Sequence, residues 1–139
     1  MKKIAKSIKI IEKKIIKNKK GNILKFINRK DFFFKGFGEI YFSQIKKNKI
    51  KGWNLHKKHT CLICVPSGKV SFSIYDPRIK KITKVTIGPH NNKIIQIPPG
   101  FWFSFKSIDK NSVVANLMNY SHLKSETKKK NIINDIKIK

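Results

Sequence analysis

Between Phe37 and Met118 the chain is a succession of short β-branched and aromatic runs, each closed by a turn signal, and this rhythm limits the folds open to it. The runs are Phe37–Ile45, Ile50–His56, Cys61–Val65, Val70–Ile74, Ile82–Ile87, Lys93–Ile97, Phe101–Phe105 and Val113–Met118. Turn signals fall between them at Lys46-Lys47-Asn48-Lys49, Pro66-Ser67-Gly68, Asp76-Pro77-Arg78, Gly88-Pro89-His90-Asn91-Asn92 and Pro98-Pro99-Gly100, and Ser107–Ser112 separates the last two. In Val70-Ser71-Phe72-Ser73-Ile74 the alternation is strict, with apolar side chains on one face and serines on the other. Strands this short and this regularly interrupted predict an all-β sandwich or barrel. At 139 residues, 40% hydrophobic and with ten Phe, residues 1–139 predict one domain that buries its core without disulfides or a structural metal.

The two ends read differently. Ile4, Ile8, Ile11 and Ile15 fall at helical spacing, which would make a basic amphipathic helix. The same segment also reads as two short strands, Ile8-Lys9-Ile10 and Lys14-Ile15-Ile16. Lys17–Asn22 is a turn and Ile23–Ile27 a strand. After Tyr120 the chain becomes polar, and Lys124–Lys139 predicts a short helix or a frayed tail. Residues 1–7 and 127–139 are therefore expected at the periphery.

The formal charge of +26 raises nucleic acid or an anionic membrane as partners. Its make-up argues against a dedicated site. Arginine occurs only at Arg29 and Arg78, whereas recognition of phosphates and base edges favours the bidentate guanidinium. The lysines run from end to end among many Ile and Asn residues, the signature of an AT-rich coding sequence. No specific nucleic-acid partner is expected, although such a surface would draw in anionic small molecules. Cys61 and Cys64 lie three apart in an apolar run, so in a strand they point to opposite faces and act as small buried hydrophobes. No segment approaches the roughly 20 apolar residues of a membrane span, and the lysine-interrupted start does not read as an export signal. A cytoplasmic location is expected.

Several motifs taken together resemble one family. Gly38-Glu39-Ile40-Tyr41-Phe42-Ser43 leads into Ile50-Lys51-Gly52-Trp53-x-x-His56-Lys57, followed by Val65-x-x-Gly68-Lys69-Val70 and Asp76-x-Arg78. Ile97-Pro98-Pro99-Gly100-Phe101-Trp102 and the tail element Asn119-Tyr120-Ser121-His122-x-x-x-Glu126 complete the set. Across residues 8–126 they are similar to the dTDP-4-dehydrorhamnose 3,5-epimerase family, and in particular to its short sugar-nucleotide members. The resemblance implies a cupin-type jelly-roll sandwich with a pocket between its sheets. It also implies surface-polysaccharide chemistry on a nucleotide-linked 4-keto-6-deoxyhexose, no cofactor, and a homodimer in which N-terminal strands join the partner's sheet. Residues 8–16 would then be strand.

Epimerising a carbon beside a ketone requires a base on one face of the sugar, an acid on the other and a partner for the enolate oxygen. In the resemblance, the family's base histidine falls at Asn54, which is no base, and its lysine at or near Cys61. The histidine after the Pro-Pro-Gly motif becomes Phe103, and the late tyrosine falls near Ala115. The candidate catalytic residues are therefore His56 as base, Tyr120 as proton donor and Lys51 as phosphate or enolate partner. His56 lies two residues beyond Asn54 and so on the same face of a strand. Trp53, Asn54, Phe42, Phe72, Arg78, Phe101 and Trp102 are the candidate substrate-binding residues. His59, His90 and His122 lie in turn-like or polar surroundings and are expected at the surface. Of the metal-cupin positions, here Asn54, His56, Thr60 or Cys61, and Phe103, one holds a strong ligand, so a metal-free pocket is expected. A non-catalytic cupin that binds a nucleotide sugar or partners another enzyme is the alternative.

Overall fold

The computed structural model describes residues 7–121 and 126–129, and among them there is no α-helix. The strands are β1 (Lys9–Glu12), β2 (Ile15–Ile16), β3 (Ile23–Leu24), β4 (Glu39–Ile45), β5 (Ile50–His56), β6 (Cys61–Ser67), β7 (Val70–Asp76), β8 (Lys81–Ile87), β9 (Lys93–Ile97), β10 (Trp102–Ser107), β11 (Ser112–Met118) and β12 (Thr127–Lys129). They form two five-stranded antiparallel sheets, ordered β1-β9-β6-β11-β4 and β12-β5-β10-β7-β8, with β2 and β3 as a separate hairpin. No described helix is long and apolar enough to cross a membrane.

The two sheets close on one core. Val70, Phe72 and Ile74 of β7 are fully buried there with Phe103 and Phe105 of β10. Opposite them lie Ile63 and Val65 of β6, Ile95 and Ile97 of β9, and Val114 and Met118 of β11. Each such side chain removed from water contributes roughly 1.5–3 kcal/mol. Strands β6 and β9 read as nearly unbroken apolar runs because both of their faces are covered. Leu62, Cys64 and Ile94 point away from the main core and pack with Phe33, Ala115, Leu117, Phe26, Ile27 and Phe34. Cys61 and Cys64 thus lie on opposite faces of β6, both buried and free, as their spacing predicts.

The N-terminal segment takes the strand reading. β1 pairs with β9 of its own chain, Lys9 opposite Gln96 and Glu12 opposite Lys93. The Asn92 side-chain amide donates to the Lys25 carbonyl at 2.7 Å and ties the β2–β3 hairpin down. At the other end the expectation of a frayed tail or helix is corrected for residues 127–129. These form β12, which pairs with β5 as Thr127 opposite His56 and Lys129 opposite Asn54. Residues 124, 125 and 130–139 of that segment, and the surface position expected of His122, lie outside the described residues.

Candidate active site

Strand β5 carries the centre of the site. Its partner β10 pairs Phe103 with Asn54 and Phe105 with Lys51, and the register shifts by one residue between them. Trp53 is the extra residue of that bulge. Without it, Lys51 and Asn54, three apart, would face opposite sides; with it, Lys51, Asn54 and His56 all face the other sheet. Gly52 permits the bulge. Its φ is +121°, and a Cβ there would lie 2.7 Å from Ser104 Cβ and 2.9 Å from the Phe103 carbonyl oxygen.

His56 is 5% exposed, its ring stacked on Phe103 with centroids 6.0 Å apart. Its Nδ1 donates to Glu126 Oε1 at 2.5 Å. The tail brings Glu126 there: the Lys57 amide donates to the Glu126 carbonyl at 2.9 Å just before β12 pairs with β5. The Glu126 carboxylate also accepts from the Thr127 hydroxyl at 2.6 Å and from the Lys58 amide at 3.2 Å. Burial alone would raise its pKa. The donors from His56, Thr127 and Lys58 outweigh burial and hold it down at about 2. With Nδ1 committed to an ionised carboxylate, Nε2 is the basic nitrogen of neutral His56.

His59 corrects a sequence expectation. It is 1% exposed, not at the surface, and its Nδ1 lies 3.0 Å from the same Glu126 oxygen. The connection from β5 to β6, residues 57–60, folds it back over the end of the sandwich. Its ring stacks on Tyr120 at 5.8 Å, and Lys58 Nζ lies 5.7 Å from the other aromatic centroid. Tyr120 itself is half exposed and lines a cleft of about 390 Å³ with Lys9, Lys35, Lys58, Thr60 and Asn119. The structure therefore brings Tyr120 to His59 rather than to the ring of His56. His90 is exposed, as expected.

From the facing sheet, Tyr41 and Ser43 of β4 pair with Asn116 and Val114 of β11 and share their inward face. The Asn116 amide donates to the Tyr41 hydroxyl at 3.1 Å. Burial raises the Tyr41 hydroxyl above its ordinary range. Cys61, Glu39 and Glu126 push the same way, and the Asn116 bond partly offsets them. Burial likewise pushes the Cys61 thiol up to about 12. Lys51 is exposed at the rim and donates to Ser43 Oγ at 2.9 Å. Lys51 of β5 thus meets Ser43 of β4 across the two sheets, and the Tyr41 hydroxyl lies within electrostatic reach of Cys61 and Glu126.

The remaining candidates lie elsewhere. Trp53 and Trp102 pack with Leu55 and Tyr75 on the face of their sheet turned away from the other sheet. Phe42 pairs with Ala115 on the outer face of β4 and is largely exposed. Phe72 is sealed in the core against Phe105. Arg78 grips Asp76 in the β7–β8 turn, with Nε and Nη2 each at 3.0 Å from a carboxylate oxygen, and lies 5.1 Å from the Phe101 ring centroid. Asn54, half-buried beside His56, is the one proposed binding residue on the inner wall.

Among the described residues, the potential metal ligands that gather are His56, His59 and Glu126, not the set expected from the metal-cupin positions. Two ligand atoms held about 2.1 Å from one ion at 90° or more lie at least about 3 Å apart. The 2.5 Å between His56 Nδ1 and Glu126 Oε1 is instead a short charge-assisted hydrogen bond. As arranged, the cluster fits a proton rather than an ion.

Sequence reasoning missed three of these residues. Glu126 is one of seven acids in a strongly basic chain, a scarcity that could have singled it out. His59 follows His56 at i+3 across a tight connection, and Tyr41 shares strand parity with Ser43 and Ile45.

Comparison with known proteins places this geometry in context. A family model described as FdtA: WxcM-like, C-terminal matches residues 6–132. The probable low-salt glycan biosynthesis epimerase Agl13 of Haloferax volcanii is 31% identical over 84 residues, 55% of this chain and 53% of the relative. The match thus spans about half the length of that curated relative. A dTDP sugar isomerase from Desulfovibrio desulfuricans superposes with a TM-score of 0.84 at 30% identity, covering 88% of this chain and 83% of the other. The same fold is shared at 21% identity by a dTDP-4-dehydrorhamnose 3,5-epimerase from Sulfolobus tokodaii (TM-score 0.80, 92% and 79% covered). It is shared at 18% identity by a histidine-to-asparagine mutant of the 3,4-ketoisomerase QdtA of Thermoanaerobacterium thermosaccharolyticum, solved with TDP-4-keto-6-deoxyglucose (TM-score 0.75, 89% and 88% covered).

Proposed function

The chain belongs to the FdtA family (WxcM-like, C-terminal), a group of sugar-nucleotide epimerase- and isomerase-like proteins of glycan biosynthesis, and we propose that it isomerises a dTDP-4-keto-6-deoxyhexose. The observation that carries this reading is the His56–Glu126 pair. It is a buried imidazole whose Nδ1 is fixed by an ionised carboxylate and whose Nε2 is left basic.

In this reading His56 Nε2 takes the proton from the carbon beside the ketone, and the C–H electron pair moves into the enolate. Glu126 stabilises the imidazolium that forms. Return of a proton to the opposite face gives an epimer. Return to the former carbonyl carbon, with loss of the neighbouring hydroxyl proton, moves the ketone by one position. Neither outcome needs an external oxidant.

Tyr41, protonated and on the inner wall, is better placed than Tyr120 to hold the enolate oxygen or return the proton. Lys51 at the rim suits the diphosphate. Asn54 serves as a hydrogen-bonding neighbour of the base. The non-catalytic alternative draws on Asn54 and on the un-ionised Cys61 thiol, neither of which replaces the family's histidine or lysine.

The test is incubation of the purified chain with dTDP-4-keto-6-deoxyglucose and inspection of the sugar proton spectrum. New epimer or 3-keto signals are expected. An unchanged spectrum with calorimetric binding intact would assign the chain as a binding protein, and absence of both would remove the nucleotide-sugar reading.

A further inference from the structure

Two imidazoles lie against one carboxylate oxygen. Glu126 Oε1 is 2.5 Å from His56 Nδ1 and 3.0 Å from His59 Nδ1, and all three side chains are buried. His56 lies on the inner face of β5, stacked on Phe103, whereas His59 stacks on Tyr120 beside the lysine-lined cleft. We infer that His59 is a positioning residue: with its Nδ1 3.0 Å from the carboxylate oxygen that His56 bonds, its charge is coupled to that of His56, and so it sets the pH at which His56 is free to act as a base. This rests on His56 being the base, but its test does not require turnover.

The physical argument is coupling. A proton on either imidazole is stabilised by the same negative charge, and once one is protonated that charge is largely neutralised for the other. The pair therefore takes up two protons in separated steps that belong to both residues. The groups around it are Glu126 and Thr127 from the tail, Lys57 and Lys58 from the 57–60 connection, Tyr120 after β11, Tyr41 and Glu39 on β4, and Cys61 on β6. Glu126, held at about 2, stays ionised through the neutral range, and Cys61, pushed up to about 12, stays a thiol. Changes of charge at the two imidazoles are then read against a fixed negative charge.

Removing His59 removes a neighbouring positive charge that competes for Glu126, so the His56 protonation midpoint rises. Removing the carboxylate lowers it. Opposite shifts from two neighbouring substitutions are not what loss of packing produces.

The experiment follows the assigned His Cε1–H resonances of the full chain by NMR from about pH 5 to 9, in wild type, H59Q, H59F and E126Q. H59F keeps an aromatic ring on Tyr120 and removes the nitrogens. Expected in wild type are His56 and His59 curves that each show the other's transition. The His56 curve should become single in both His59 variants, with its midpoint raised, and should fall by about one pH unit in E126Q. Independent single-site curves in wild type, which need no variant to fold, would overturn the inference. So would an unmoved His56 midpoint in a folded His59 variant. If the chain proves catalytic, the acid limb of its pH–rate profile should move with the NMR midpoint. If no turnover is found, the coupling still stands or falls on the NMR curves alone.

Discussion

At the scale of the residue, Glu126 is where sequence and structure diverge most usefully. It ionises at about 2 in the fold, against 4.5 ordinarily, so its contribution to stability is complete above about pH 4.5 and is lost as pH falls towards 2. E126Q should cost about 1–3 kcal/mol in urea unfolding at pH 7, the gap closing as pH falls through that window. A gap that persists at pH 2 would mean that the carboxylate charge is not what is lost. The thiols give a second expectation. Burial pushes Cys61 and Cys64 each up to about 12, so neither should react with a disulfide reagent in the native state. Rapid native labelling of either would contradict their burial. Strand parity made the shared face of Asn54 and His56 legible in the sequence. The partners of His56 were not legible, because Glu126 and His59 reach it through chain reversals that carry no periodic signal.

At the scale of the element, β5 and β12 decide the site. The bounds of β5 and the alternation of β7 could be read directly, since a half-buried strand writes its faces into its sequence. The bulge at Trp53 could not. It turns Lys51 to the face of Asn54 and His56, and its only local sign is Gly52. G52A should therefore cost roughly 2–5 kcal/mol, from positive φ and steric conflict with Ser104 and Phe103 together. G100A, at φ +93° with open space around it, should cost about 1–2 kcal/mol. Equal losses in denaturant unfolding would argue against the bulge. Strand β12 was invisible for another reason: Thr127-Lys128-Lys129 is polar, and only its pairing with β5 makes it a strand.

At the scale of the whole molecule, the sandwich and its family were legible because turn signals and motif spacing agree with each other along nearly the whole chain. Among the described residues, the charge of +26 gathers along the cleft of Lys9, Lys35 and Lys58 and the groove of Lys13, Lys14 and Lys25. A homodimer is still proposed. Phe37 and Phe42 stay two-thirds exposed along the open edge at β4, an arrangement that favours a second copy. Sedimentation should give twice the 16.2 kDa chain mass, and a monomer at micromolar concentration would count against it.

The most direct test of catalysis at His56 is deuterium wash-in from heavy water into dTDP-4-keto-6-deoxyglucose, read by mass and by proton NMR. Wild type should place deuterium on a carbon next to the carbonyl, and H56Q, though folded and still binding dTDP, should slow this by at least about 100-fold. Wash-in that survives unchanged in H56Q, or none in wild type with any dTDP-4-keto sugar it binds, would contradict a base at His56.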